Sequence, residues 1–566
     1  MRHFFGRMVF LLSALLLVSS CQEEERLSLS YTIRPVQNDS LPLLEVLLDL
    51  PPNPAGFTRL HYANTAWGEE ELHRALFSLQ MEPERPDNRV EINKDSGWID
   101  LHYSRDLNQL KFRYQLQQDF DQAKLSTSEV YRPIIQENYF HLFSHHLFMG
   151  PATEKPLDIA VRWADFSEDY VIHNSFGTGQ RIQRLESVDW NDFQSAIFVG
   201  GDFRVYQDEL MGNKISLATR GDWIPFEEEE VFAILKETLE AQREFWNDHS
   251  QAYFTVSLHP FGQEQGSSFQ GTGLTNSFAT SVSNNSYTDL DQLVYLFNHE
   301  LMHNWIGHRI ENSNEEEQYW FSEGFTEYYT FKNIARNGVG GAEESSFFSS
   351  LNLTARQLYS SPVREEPNSK INYENFWSNP DYGKLPYYRG ALFAFLVDMQ
   401  IIHHSAGRKS LDDMMREFLV LSQQGERLSH ELFLEVLEDY WEEGKTYFDR
   451  HIIRGEFFDF AKEYARLGLQ YEPEAVVYEM GFELSDDRKQ IKSVQAGTAA
   501  EKAGLQAGDL LFSRSIWYGN TEKPIDLGVV RGKKQLQISF FPIKRVQLPQ
   551  LIESGNNWDK LQISVN

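Results

Sequence analysis

The sequence predicts a multidomain α+β protein, and three shifts in its periodicity carry that prediction. From Leu27 to about Pro151 the chain runs in short alternating segments such as Leu43-Leu44-Glu45-Val46-Leu47-Leu48-Asp49-Leu50, cut by Pro-Pro-Asn-Pro at 51–54. Alternation of period two broken by turn residues reads as a β-sandwich. A mixed αβ stretch follows, in which 193–205 and 253–258 read as strands flanking a helix over 227–246. The leading glutamates of that helix suit the positive end of its dipole. From Ser322 to about Gly468 the period is helical, and the remainder returns to strand-like segments with Gly-rich turns.

Composition narrows the function. The chain has 566 residues, with 83 acidic and 52 basic side chains and a formal charge of −31. Such a surface repels nucleic acid and anionic surfaces, so neither is an expected partner. A hydrophobic content of 41% with 14% aromatics is ample for several cores.

The N-terminus addresses the chain to a membrane. Arg2, His3 and Arg7 precede an apolar run over 8–18 that is too short to span a bilayer, followed by Ser19-Ser20-Cys21. This reads as a signal peptide over 1–20. Val18-Ser19-Ser20-Cys21 resembles a bacterial lipobox, which implies cleavage before Cys21 and its acylation. Cys21 is the chain's one cysteine, so no disulfide competes for it. Gln22-Glu23-Glu24-Glu25 either resembles the surface-export tag of some Gram-negative lipoproteins or is a solvated linker. The expected location is a bacterial membrane, the outer one, facing periplasm or cell surface.

The chemistry sits at His299-Glu300-Leu301-Met302-His303. Thr288-Asp289-Leu290-Asp291 reads as a capped helix start, and Leu290, Leu293, Val294, Leu296 and Phe297 give the helix an apolar face. Histidines at i and i+4 project from one face and reach one metal, while Glu300 stands beside it free to act as a base. A third ligand belongs on a second helix, and Trp320-Phe321-Ser322-Glu323-Gly324-Phe325-Thr326-Glu327 provides Glu323. The polar run 311–318 reads as the intervening loop. Glu327, one turn beyond Glu323, is placed either to brace a ligand histidine or as an ordinary exposed helix residue. Neutral histidines with one carboxylate suit Zn2+, one per chain.

These motifs resemble the gluzincin metallopeptidases, and within them the glycyl aminopeptidase family. Nineteen residues stand between His303 and Glu323, one more than the large aminopeptidase relatives usually have. The resemblance implies a thermolysin-like catalytic domain of a mixed-sheet lobe and a helical lobe. It places an oxyanion donor at Tyr387 in Leu385-Pro386-Tyr387-Tyr388-Arg389-Gly390, with Tyr382 as a possible assistant or a packed aromatic. It also implies a Gly-rich substrate strand, Gly271-Thr272-Gly273-Leu274-Thr275, and there the chain departs from the pattern. Thr275 stands where a glutamate would grip the substrate's free amine. A neutral hydroxyl holds ammonium poorly, so dependence on a free N-terminus is expected to be weak unless a loop acid such as Glu264 substitutes.

Near the C-terminus, 494–511 with its Gly504-Leu505-Gln506-Ala507-Gly508-Asp509 turn is very similar to the PDZ fold. That resemblance makes Gly481 and Phe482 part of a peptide-capturing loop, or else implies a fold kept only for packing. The expected domains are a leader over 1–20, a β domain over 21–155, the peptidase over 156–468, the PDZ domain over 469–546 and a tail over 547–566. The expected activity is hydrolysis of peptide bonds in peptide or protein substrates outside the cytoplasm. The alternatives are hydrolysis of a non-peptide bond and a surface peptide-binding lipoprotein with a structural zinc. Glu300 speaks against the last, since structural sites are closed by four protein ligands and need no base.

Overall fold

The computed structural model describes residues 26–36, 42–121 and 125–561. The expected leader, Cys21 and the acidic run after it lie outside the described residues. The described residues fall into two compact units, one of the residues up to 121 with 131–202, the other of 125–130 with 203–561.

The first unit is the expected β-sandwich. A six-stranded sheet has the order Ile182–Val188, Leu157–Trp163, Ser28–Val36, Leu43–Leu50, Leu110–Gln117, Leu76–Glu82. A five-stranded sheet centres on Ile197–Gly201 and Tyr139–Phe143. Alternate residues Tyr31, Val46, Leu48, Phe112 and Tyr114 bury against Phe140, Leu142, Phe148 and Phe198 in one core. The unit runs to Asp202 rather than ending near 155. The reason is a non-local pairing: Leu157–Trp163 lies parallel to the first strand, with Ser28 opposite Asp158 and Ile33 opposite Trp163. The strand over 197–201 therefore completes the sandwich and is no part of the catalytic lobe.

The second unit opens with a five-stranded mixed sheet in the order Arg204–Leu210, Asn213–Thr219, Tyr253–Phe261, Ser277–Ser283, Phe269–Leu274. The helix Glu228–Trp246 starts on a capping box between Glu227 and Glu230 and stops at Asn247, which adopts a left-handed φ of 48°. It packs on the sheet together with the helix Leu290–Met302, through Leu235, Leu239, Val256, Phe278, Leu293, Phe297 and Leu301. The Gly-rich strand Phe269–Leu274 is thus the outer strand of the sheet, antiparallel to Ser277–Ser283.

The helical part forms a larger core around Trp320, Phe325, Phe393 and Phe433. A buried polar network locks three of its helices. Lys332 pairs with Asp398 and Asp412, each at 2.7 Å, and Tyr328 donates to Asp398 at 2.6 Å. Desolvated ions are tolerable only when paired in this way.

The C-terminal region has its own small core of Phe482, Ile491, Ala500, Leu505, Ile525, Leu527 and Val529. Asp509 accepts a two-point bond from Arg531 at 2.7 and 2.6 Å and caps the turn at Gln506 N, at 3.0 Å, which explains the Gly-Asp pair of the motif. Residues 547–561 are not a tail. Ile543–Leu551 pairs with Tyr471–Tyr478, and Val546, Leu548, Leu551 and Leu561 sink into the core of the helical part. Apolar side chains at these positions make that burial favourable. No helix among the described residues is long and apolar enough to cross a membrane.

Candidate active site

Asp289 caps the motif helix with a reciprocal box to Gln292, and the helix ends at Met302 with His303 as its last half-turn. The expected loop over 311–318 is in part a helix, Glu315–Ser322. Glu323 sits at the junction between that helix and Gly324–Asn337.

The two histidines and Glu323 converge. One donor atom from each of His299, His303 and Glu323 lies within 4.8 Å of the others. His299 Nε2 is 3.3 Å and His303 Nε2 3.7 Å from Glu323 Oε2. The other ring nitrogens are held from behind. His299 Nδ1 donates to Glu327 Oε2 at 3.2 Å, and His303 Nδ1 to the carbonyl of Ile306 at 3.0 Å. Both Nε2 atoms are thereby turned toward one point, the arrangement that ligating histidines need. Tyr295 donates to the same Glu327 oxygen at 2.5 Å and fixes it. Glu327 is buried rather than an ordinary exposed helix residue.

The electrostatics favour a cation at that point. Burial alone would push His299 down, but the carboxylates of Glu323 and Glu327 outweigh it and hold the imidazole at about 10. His303 is raised against the same burial by Glu323. Burial opposes ionisation of Glu323, yet the two histidines hold its carboxyl well below the usual range. Two imidazoles and a carboxylate turned toward one point fit a divalent metal of zinc's preferences.

Tyr387 stacks on His299 with ring centroids 5.7 Å apart, and burial with the nearby carboxylates pushes its phenol far up. Its hydroxyl keeps its proton and is a hydrogen-bond donor. Two glycines set that approach. A Cβ on Gly390 would lie 2.1 Å from the carbonyl oxygen of Trp320 and 2.7 Å from the Cα of Gly324. The helix Pro380–His404, which carries Tyr387, therefore meets the Glu323 junction backbone to backbone. Only glycine permits this approach, which accounts for the glycine in each motif.

These groups line a cleft of about 490 Å³ with Gly271, Gly273, Leu274, Glu300 and Trp377. Two residues assigned to substrate from the sequence are elsewhere. Thr275 lies in the turn that reverses the strand, where its carbonyl accepts from Ser277, and it does not line the cleft. Tyr382 packs against the helical core and does not line the cleft; five residues before Tyr387, it leaves the same helix on a different side. Glu264 is likewise absent from the lining. Sequence reasoning missed Glu315 and Trp377. Glu315 stood in an acidic run that read as a solvated loop, and Trp377, 69% exposed, had no motif to mark it. In the C-terminal region, Phe482 is 5% exposed within the small core, so its side chain lines no groove. Gly481 adopts a φ of +75°, in the region that favours glycine.

Comparisons with known proteins agree with this geometry. Residues 271–443 match the peptidase family M1 domain. In fold, the chain is similar to an aminopeptidase N family protein from Idiomarina loihiensis, at 15% identity and a TM-score of 0.68, over 94% of this chain and 99% of that one. Two structures of leukotriene A4 (LTA4) hydrolase also align. The native yeast enzyme does so at 14% identity and TM-score 0.42, over 77% of this chain and 67% of that one. The Saccharomyces cerevisiae enzyme does so at 16% and 0.43, over 75% and 66%. The chain is an enzyme, a metallopeptidase, and its fold, with a β-rich N-terminal part and a helical part beyond it, resembles that of the aminopeptidase N family protein.

Proposed function

We propose, for a metallopeptidase carrying an M1 domain, that the chain is a zinc-dependent hydrolase of peptide bonds acting outside the cytoplasm. The observation that carries this reading is the convergence of His299, His303 and Glu323 at one wall of a cleft that also holds Glu300 and Tyr387. His299, His303 and Glu323 would hold the ion. Zinc, when bound, supplies a Lewis acid and lowers the pKa of water toward about 7. Glu300 takes the proton of the attacking water and later gives it to the leaving amine. Tyr387 donates to the oxyanion that develops on the carbonyl. The outer strand Phe269–Leu274 aligns the substrate backbone by strand addition.

Peptides incubated with the purified chain and analysed by mass spectrometry should be cut. A chelator should abolish cleavage, and about one equivalent of zinc should restore it. Cleavage that survives complete metal removal would sink this reading.

Two further parts of the reading concern the ends of the chain. The region after Tyr478 serves as a PDZ-like module, supported by the Gly481 loop and the Asp509 turn. Cys21 anchors the enzyme by its acyl chains, so Cys21→Ala should move it from the membrane fraction to the soluble one; one acyl chain binds marginally and several bind firmly. Undiminished membrane association in that variant would remove the anchor.

A further inference from the structure

The β-sandwich unit carries an open cavity of about 720 Å³, larger than the catalytic cleft of about 490 Å³. Trp67, Trp98 and Trp190 all line it. Trp190 is its buried floor, 5% exposed, and lies so close over Gly150 that a Cβ there would be 2.3 Å from the indole. Trp98 is half-buried, its ring set edgewise to His61 with centroids 4.9 Å apart. Trp67 is 41% exposed. None of the three indole N–H groups has a hydrogen-bond partner among the described residues, whereas Trp223 and Trp305 donate to Thr219 and Asp248, each at 2.8 Å.

Trp67 is held out by a strained turn. Ala66 and Glu69 exchange backbone bonds at 3.1 and 2.9 Å, so Trp67 and Gly68 are the two residues of a tight reversal. Their φ angles are 48° and 83°. Asparagine followed by glycine is the usual pair for such a turn, and a bulky residue in its first place is a rarity. Strain of this kind persists where it serves a site. Here it sets an indole at the mouth of a cavity.

The polar lining selects the occupant. No lysine or arginine among the described residues lines the cavity. His61 and His145 do, but burial lowers both, His145 to about 4, so neither brings positive charge at neutral pH. An anion therefore meets no cation there, and Glu154 at the exposed rim repels it. The remaining polar groups are neutral, chiefly the side-chain amides of Asn191 and Gln194. Gln194 is fixed by donating to the carbonyl of Phe148 at 3.1 Å, and Asn191 has no side-chain partner among the described residues. A purely apolar ligand would leave these amides unpaired. A quaternary ammonium suits the rings but cannot use the amides, and it fills little of the volume. Indole surfaces beside neutral donors and acceptors match a molecule with apolar C–H faces and a rim of hydroxyls. The volume is that of a full ligand site. We propose that this cavity binds a neutral glycan, whose sugar rings pack on Trp67 and Trp98 and whose hydroxyls bond to Asn191 and Gln194. This binding function stands apart from catalysis and does not depend on the peptidase reading.

The test starts from an array of neutral and acidic oligosaccharides probed with the purified full chain. The strongest neutral binder is then titrated by calorimetry while tryptophan emission is followed. Wild type should bind neutral glycans with a shift in emission, and sialylated or uronic-acid forms at least about tenfold more weakly. Trp67→Asn suits the turn better and should keep the thermal unfolding transition, yet bind at least about tenfold more weakly. Asn191→Ala alters an exposed side chain and should weaken binding at least about threefold, which keeps the test valid if Trp67→Asn folds poorly. A neutral polysaccharide resin and a glycoprotein before and after deglycosylation show whether the glycan is met free or on a protein. Equal retention of the deglycosylated protein would overturn the assignment in favour of a polypeptide partner. So would binding of choline in place of sugars, in favour of an ammonium site. Absence of any neutral glycan binding by wild type, or full affinity in both variants, would remove the site.

Discussion

Glu300→Gln should retain zinc and lose turnover by about a hundred- to ten-thousand-fold. The substitution keeps the size of the side chain and its place in the cleft beside His299, His303 and Tyr387. It removes the lone pair that accepts the proton from water and the proton that is returned to the amine. Only the transition state uses those transfers, so the loss should appear in kcat and in kcat/KM alike. Metal content measured on the same sample separates this from a damaged site. Near-normal turnover with zinc retained would take the base role from Glu300.

His303→Ala should abolish both metal and activity, because it removes a ligand and leaves Glu323 facing His299 alone. Glu327→Gln makes the companion measurement. The amide can still accept from His299 Nδ1, now at 3.2 Å from a carboxylate, but it no longer supplies the charge that strengthens that histidine as a ligand. Zinc affinity should then fall by about ten- to a hundredfold, the usual effect of altering a partner behind a ligand. Metal titration checks both variants. Full occupancy in His303→Ala would place the metal elsewhere, and unchanged affinity in Glu327→Gln would make Glu327 a packing residue only.

The legible parts of this protein were those whose partners are near in sequence. The fourfold spacing of His299 and His303, the cap at Asp289 and the turn from Glu323 to Glu327 follow from helix geometry, and all three stand in the structure. The β-sandwich was legible as a class because alternation of period two states which residues face inward. Its boundary was not, since Leu157–Trp163 joins the first strand across more than a hundred residues and nothing local announces that pairing.

The same distinction divides the site. The sequence by itself picked out His299, His303, Glu323 and Glu300, and the resemblance added Tyr387; each lies in a patterned segment, and the structure gathers all five on one cleft. Only the tertiary structure decided between the two readings of Glu327 and separated the members of the acidic run. Glu315 and Glu316 are adjacent in an acidic run, and only Glu315 is turned by Ser322 and Asn312 into the cleft. Thr275 occupies the patterned position of the substrate strand, yet the reversal at the end of that strand carries it out of the cleft. Which side chain faces a cleft depends on contacts between elements distant in the chain, such as the meeting of Gly324 and Gly390, and local propensity does not encode those contacts.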